Sequence, residues 1–181
     1  MAELELTPTS YVVLGFFART DGGSPYDLTR MVAESVGYFW SFPRSQLYAE
    51  PARLATAGYL GERQEQGGRR RRFYALTDHG REALAEWLAT PTQKLPEMRD
   101  PALLQLFFGA DQHALAITQF EAHQLQLAAY ERLRDRIAAL RERLGGSGPA
   151  GPLMTIEAGI AHERAWIAFW TELAGTTSPE G

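Results

Sequence analysis

Along the first half of the chain, short apolar clusters alternate with turn-forming residues. Residues 9 to 18 carry Tyr11, Val12, Leu14, Phe16 and Phe17, a run that fits a short buried helix and is dense enough to fit a strand. Asp21-Gly22-Gly23 ends it. Ser24-Pro25-Tyr26-Asp27 then sets a serine N-cap before a proline at the first helical position, with an acidic residue in the first turn, three features that favour helix initiation. Leu28, Met31, Val32 and Val36 form the apolar stripe of this second helix, and Gly37 ends it. A third helix is expected from Arg44 to Ala57, with Leu47, Leu54 and Gly58 sharing its inward face at a period of about 3.6 residues.

From Tyr59 the pattern changes. Tyr59 to Arg63 and Arg71 to Leu76 read as two strands, and Gly67-Gly68 between them has the composition of a hairpin tip. Thr77 is a fitting N-cap for a fourth helix from Asp78 to Ala89, which carries Leu84, Trp87 and Leu88; the segment Pro91 to Pro96 interrupts the pattern. Beyond it the chain reads as helix alone. Pro101 to Phe108 is short and apolar, whereas Gln112 to Leu144 is one amphipathic stretch of about nine turns with Phe120, His123, Leu127, Tyr130, Leu133, Ile137, Leu140 and Leu144 along one stripe. A turn from Gly145 to Pro152 leads into a last helix, Leu153 to Ala174, with Ile156, Ile160, Ile167 and Trp170 on one side and Trp166, Phe169 and Leu173 on the adjoining one. About nine turns of apolar stripe exceed what one partner of about six turns can bury, so part of the seam is expected to meet a second copy of the chain.

Charge divides the chain in the same place. The net charge of −4 speaks weakly against a nucleic-acid partner, because binding duplex requires cations against phosphates. Between Arg44 and Arg81, however, eight basic residues face four acidic ones, a local +4; from residue 91 onward eight basic residues face eleven acidic ones. A locally basic surface joined to an acidic body suits DNA on one side and another task on the other. The absence of cysteine excludes disulfides, thiolate metal sites and cysteine nucleophiles. The acidic start Met1-Ala2-Glu3-Leu4-Glu5, with no apolar signal stretch or membrane-spanning run after it, leads us to expect a cytoplasmic protein.

The candidate chemistry lies on the third helix and the hairpin. The outward face of that helix is Ser45, Tyr48, Ala49 and Ala52, with Gln46 and Arg53 at its margins. Small side chains let a helix approach the floor of the major groove, and Ser45 and Gln46 near the N-terminus suit base edges. Tyr48 suits a phosphate through its hydroxyl. Alone, the same face is simply the solvent side of an ordinary helix, and Arg69-Arg70-Arg71-Arg72 alone is a solvated basic turn. In the order helix, helix, helix, strand, the tetrad becomes a wing suited to phosphate or the narrow minor groove. Pro51 falls inside the third helix, where a proline costs about 3 kcal/mol or forces a kink, so a bent or divided helix is expected there.

The histidines His79, His113, His123 and His162 are too scattered for a metal motif, and Thr77-Asp78-His79-Gly80 is a helix cap without a nucleophile elbow or phosphate loop, so neither metal, cofactor nor enzyme activity is expected. Phe107, Phe108, Tyr130, Trp166, Phe169 and Trp170 suit either a packed core or an effector cavity. Aromatic groups close to polar ones make Tyr11, Trp40, His162 and Trp166 candidate lining for a flat aromatic effector.

Ser45-Gln46-Leu47-Tyr48, Arg53-Leu54, Ala57-Gly58-Tyr59-Leu60, the wing ending Arg72-Phe73-Tyr74-Ala75-Leu76-Thr77, and Gly80-Arg81-Glu82-Ala83-Leu84 with Trp87-Leu88 together resemble the PadR family of bacterial transcriptional regulators. The resemblance covers roughly residues 9 to 90; the second half is similar in length and helix order to the C-terminal helical domain of that family's longer subgroup. It implies a mainly α protein: residues 1 to 90 a winged helix-turn-helix with a two-stranded β wing, and residues 91 to 181 an antiparallel helical dimerisation domain. The implied function is a homodimer on a palindromic operator, repressing until a small aromatic or drug-like molecule releases it. Its contacts with double-stranded DNA would come from Arg44, Ser45, Gln46, Tyr48 and Arg53 and from Arg69, Arg70, Arg71 and Arg72. The reading from a different class is a helical adaptor that binds proteins and not DNA.

Overall fold

The computed structural model describes residues 4–64, 71–143 and 150–176. The glycine tip with Arg69 and Arg70 lies outside the described residues, as does Leu144 with the turn from Gly145 to Pro149. The chain divides into two compact units, with the boundary between Lys94 and Leu95.

In the first unit, capping chemistry decides where helices start. Helix α1, Pro8–Arg19, opens on a capping box: the Thr7 hydroxyl accepts from the Ser10 backbone N–H and the Ser10 hydroxyl accepts from the Thr7 N–H, and Pro8 supplies a preset φ. This settles the dense apolar run as helix. Helix α2, Pro25–Ala33, has the cap read from its sequence, Ser24 and Asp27 bonding reciprocally. It ends earlier than Gly37, because the backbone leaves the helical region at Ser35 (φ −145°, ψ −94°) and the chain tightens into a 3₁₀ turn, Val36–Tyr38. Val36 therefore packs on the core from that turn and not from the helical stripe.

Helix α3, Arg44–Thr56, runs without a break through Pro51. Its ring is fully buried, so packing offsets the lost backbone bond. Gly58, expected on the inward face, is exposed and left-handed (φ 84°); it ends the helix while the Tyr59 N–H returns to the Leu54 carbonyl at 3.0 Å. Ala52, expected outward, is half-buried against the core.

Strands β1, Leu60–Gln64, and β2, Arg72–Leu76, pair antiparallel with Leu60 opposite Leu76 and Gln64 opposite Arg72. The loop between α1 and α2 extends this ribbon, since Gly23 and Tyr74 exchange both backbone bonds at 2.9 Å. Glycine is required beside it: Gly22 has φ 110°, and a Cβ there would collide with the Tyr74 carbonyl oxygen. Helix α4, Asp78–Ala89, begins at Thr77, whose hydroxyl accepts from the Gly80 N–H and donates to the Gly58 carbonyl at 2.7 Å. One core joins these elements: Val13, Leu14 and Phe17 from α1, Leu28 and Val32 from α2, Leu47 and Leu54 from α3, and Tyr59, Leu60, Tyr74 and Leu76 from the ribbon and its approach.

The second unit is helical. Helix α5, Pro101–Phe107, is capped by the Asp100 carboxylate, which accepts from the Ala102 and Leu103 N–H groups. Helices α6, Gln112–Arg143, and α7, Gly151–Thr176, pack antiparallel: Ala116 clusters with Trp170, His123 meets Glu163 and Tyr130 lies against Gly159. Trp170 is fully buried and Tyr130 nearly so, the core role among the two open for these aromatics; Phe107 and Phe108 are instead 81% and 76% exposed. Of the expected α6 stripe, Tyr130 and Leu133 are buried, while Leu140 is half-exposed at 50%. Among the described residues no helix is long and apolar enough to cross a membrane.

Replacing a helical glycine by alanine ordinarily stabilises by about 1 kcal/mol. At Gly80 the sign should reverse, because the added Cβ would run into the Tyr59 carbonyl oxygen. We expect Gly80→Ala to cost about 1–3 kcal/mol in urea unfolding; a gain would show that α4 does not pack so closely on the start of β1.

Candidate nucleic-acid interface

Helix α3 buries one side and offers the other. Leu47, Glu50, Pro51 and Leu54 are buried, whereas Arg44, Ser45, Gln46, Tyr48 and Ala49 are exposed. The exposed side is therefore small or polar near the N-terminus apart from Tyr48, which stands half-exposed at 48%. Pro43 occupies the N-cap without a side-chain cap bond and the Gln46 N–H turns back to the Pro43 carbonyl at 3.0 Å, so the positive end of the helix dipole lies beside the exposed Arg44 and Ser45. This is a surface that an anionic backbone can approach and whose side chains are short enough to let it come close.

Arg53 has a different setting from the expected margin of that face. Its Nε and Nη2 donate to both carboxylate oxygens of Glu50 at 2.8 and 2.6 Å, Nη2 also donates to the Ser10 hydroxyl at 2.9 Å, and Nη1 reaches the Glu5 carbonyl at 3.4 Å. Ser10 in turn donates to Glu50 Oε1 at 2.6 Å. Burial pushes the Glu50 carboxyl upward, but the hydrogen bonds from Arg53 and Ser10 and the Arg53 charge outweigh it and hold the group below the ordinary glutamate value. Sequence spacing places Arg53 three residues from Glu50; that Ser10 completes the group depends on how α1 crosses α3, which spacing does not reveal.

On the ribbon, Arg71 and Arg72 are exposed. Arg72 pairs with Glu62 on the facing strand at 3.4 Å. Arg71 lies within electrostatic reach of the start of α2, where the Ser24 hydroxyl above all, and the Arg30 and Arg71 charges after it, hold Asp27 below its ordinary value. A further cation is not apparent from the sequence: the Arg63 guanidinium lies 4.2 Å over the ring of Phe73, its partner across the strands, and so is presented in a fixed place. Only the register reveals this pair.

The effector candidates fall in both units. Tyr11 stacks on Trp87 with ring centroids 4.5 Å apart, and Trp40 stacks on Phe42 at 6.0 Å. In the second unit the Trp166 indole donates to His162 Nε2 at 2.8 Å and its ring stacks on His123, whose Nδ1 is 2.6 Å from the buried Glu163 carboxylate. The sequence pattern places His123 on the apolar stripe and gives Glu163 no role; the α6 and α7 register brings them together.

Three helices, a two-stranded ribbon and a further helix, with an exposed short-chained face on the third helix and arginines on the ribbon, make the first unit a winged helix-turn-helix, an architecture of DNA-binding regulators. Residues 16–86 match the model of the transcriptional regulator PadR-like family, and residues 98–176 match that of the virulence activator alpha C-terminal domain. The chain therefore carries a PadR-like transcriptional regulator domain followed by a virulence activator alpha C-terminal domain. It is 27% identical to the negative transcriptional regulator PadR of Bacillus subtilis over 171 residues, 90% of this chain and 92% of that one. The structure of Bacillus subtilis PadR in complex with operator DNA superposes with a TM-score of 0.81 at 24% identity, covering 96% of this chain and 99% of that one. The structure of the same protein in complex with p-coumaric acid gives 0.77 at 23% identity, covering 97% and 100%.

A depressed carboxyl pKa lends stability that is present in full above the ordinary glutamate range and is lost as pH falls through the lowered folded value. Glu50→Gln should therefore cost about 2 kcal/mol near neutral pH and flatten the acid limb of stability measured by denaturant titration against pH. An acid limb as steep as that of the unaltered protein would remove Glu50 from this role.

Proposed function

We propose that this chain is a homodimeric repressor of transcription, acting in the cytoplasm on a palindromic operator and released by a flat aromatic or drug-like effector. The observation that carries the reading is the exposed face of α3 with arginines on the neighbouring ribbon. In this reading Ser45 and Gln46 meet base edges, and Arg44 and Tyr48 meet phosphates. Arg71 and Arg72, together with Arg69 and Arg70 of the tetrad, grip backbone or minor groove. No catalytic step enters it. Relatives support the parts: one is named a negative regulator, one structure holds operator DNA and another p-coumaric acid.

Apolar side chains exposed on the second unit support self-association. Leu104, Phe107 and Phe108 on and beside α5, and Ile117, Leu125 and Leu140 on α6, are 44–81% exposed as a set of large apolar groups, more than isolated surface hydrophobes require. A two-fold dimer through some of these side chains would present two α3 helices to two half-sites, hence the palindrome. For the effector, the candidates in the second unit are His162 and Trp166, an aromatic face beside polar ring nitrogens, and those in the first unit, taken separately, are Tyr11 and Trp40.

Binding to DNA from upstream of its own gene should weaken steeply with salt. Replacing Arg69 to Arg72 by alanine should reduce the slope of log affinity against log salt by about 0.9 for each phosphate the protein no longer neutralises; an unchanged slope would refute the wing assignment, and no binding by the unaltered protein would favour a protein-binding adaptor. Phe107→Glu with Phe108→Glu should shift sedimentation from dimer to monomer. Tryptophan fluorescence should respond to p-coumaric acid or another flat aromatic acid, and silence across a diverse panel would refute the effector.

A further inference from the structure

The polar side of α3 that faces α1 repeats at the helical period. Gln46, Glu50 and Arg53 are four and three residues apart and form one stripe along the helix. Each meets one turn at the start of α1: Thr9 Oγ1 donates to Gln46 Oε1 at 3.5 Å, Ser10 Oγ donates to Glu50 Oε1 at 2.6 Å, and Arg53 Nη2 donates to Ser10 Oγ at 2.9 Å. Ser10 is fully buried and Glu50 nearly so. The group is self-contained, for the Ser10 hydroxyl also accepts from the Thr7 N–H at 2.8 Å and the guanidinium reaches the Glu5 carbonyl.

Apolar contacts between helices tolerate small rotations, because many side-chain arrangements fill the same volume. Short hydrogen bonds to charged groups are directional and do not. Rotation of α3 matters more than that of any neighbouring helix: one residue step is about 100°, so a modest turn would swing Ser45 and Gln46 away from whatever they read. Gln46 is itself the end of the stripe. Its amide oxygen has two lone pairs, so accepting from Thr9 leaves one of them and both N–H donors for base edges.

We propose that the Gln46, Glu50 and Arg53 stripe sets the rotation of α3 against α1, so that Ser10 and Arg53 are positioning residues that act on sequence recognition through Ser45 and Gln46. Arg53 then touches no DNA. The inference rests on α3 being the recognition helix, as in the proposed function.

The unaltered protein is used to select a duplex from a random library. Affinities for that duplex and for a random duplex of equal length are then measured across a salt series. Ser10→Ala and Arg53→Met should each lower the ratio of selected to random affinity by about tenfold, the effect of removing one hydrogen bond to a charged group. Random-duplex affinity and salt slope should stay unchanged. Arg53→Lys, which keeps the charge and removes the fork, should lower the ratio as well. A merely structural role would lower both affinities in proportion to the folded fraction and leave the ratio alone, overturning the proposal. A salt slope reduced by about 0.9 in Arg53→Met would show that Arg53 neutralises a phosphate and overturn it too. If Arg53→Met does not fold, Ser10→Ala decides, since it leaves the bidentate pair within α3 intact. Failure of the unaltered protein to bind any duplex would sink the DNA-binding reading first, before any variant is made, and this inference with it.

Discussion

The first unit depends on one requirement placed on α3: the same thirteen-residue helix must be held rigidly by its buried side while its other side stays small and free. Leu47, Pro51 and Leu54 supply the apolar part of the hold, and the Glu50 and Arg53 pair on Ser10 supplies the directional part. An ion pair with one buried partner, as Glu50 is here, adds little net stability over an apolar substitute, yet removing the partly exposed Arg53 is costly because the buried carboxylate loses its partner. Its value here is in geometry. The capping box that starts α1 and the hydroxyl that receives Arg53 share one residue, Ser10, so the beginning of α1 and the setting of α3 are fixed together.

The ribbon is held by equally local chemistry. Gly23 pairs with Tyr74, Gly22 takes a left-handed turn that no side chain could share with the Tyr74 carbonyl, and Thr77 closes the base of the ribbon onto Gly58. The wing therefore grows from the same loop that starts α2. Arg63 and Arg72 are presented by backbone pairing, and Arg63 also by stacking on Phe73, which reduces the side-chain freedom given up when a cation meets phosphate. In the second unit comparable polar contacts, His123 with the buried Glu163 and Glu131 with Arg164, join α6 and α7 and help fix which turns of the two helices lie opposite.

What was legible in the sequence was local. Ser24-Pro25 and Thr77 announce helix starts because a cap is a contact between residues three apart, and β1 and β2 follow from composition around a glycine tip. Pro51 misled in the other direction: its helix-breaking cost was visible, but its burial, which offsets that cost, needs the packed core. Val36 looked like the next member of the α2 stripe, and only the non-helical backbone at Ser35 shows that the helix has already ended. In the candidate site, Ser45, Gln46 and Tyr48 were readable from the exposed period of α3. The setting of Arg53 was not, since its partner Ser10 is forty-three residues away. Arg63 and Glu163 were missed for the same reason, each depending on a register between two elements.

The measurement that bears most directly on α3 as the reading element is a comparison of binding-site preferences, obtained by selection from a random duplex library with the unaltered protein and with Gln46→Ala. The expected result is a palindromic motif for the unaltered protein and the same motif for the variant, relaxed at one base pair in each half-site. An identical motif at every position, or a loss of affinity spread evenly over all sequences, would contradict base reading from this helix.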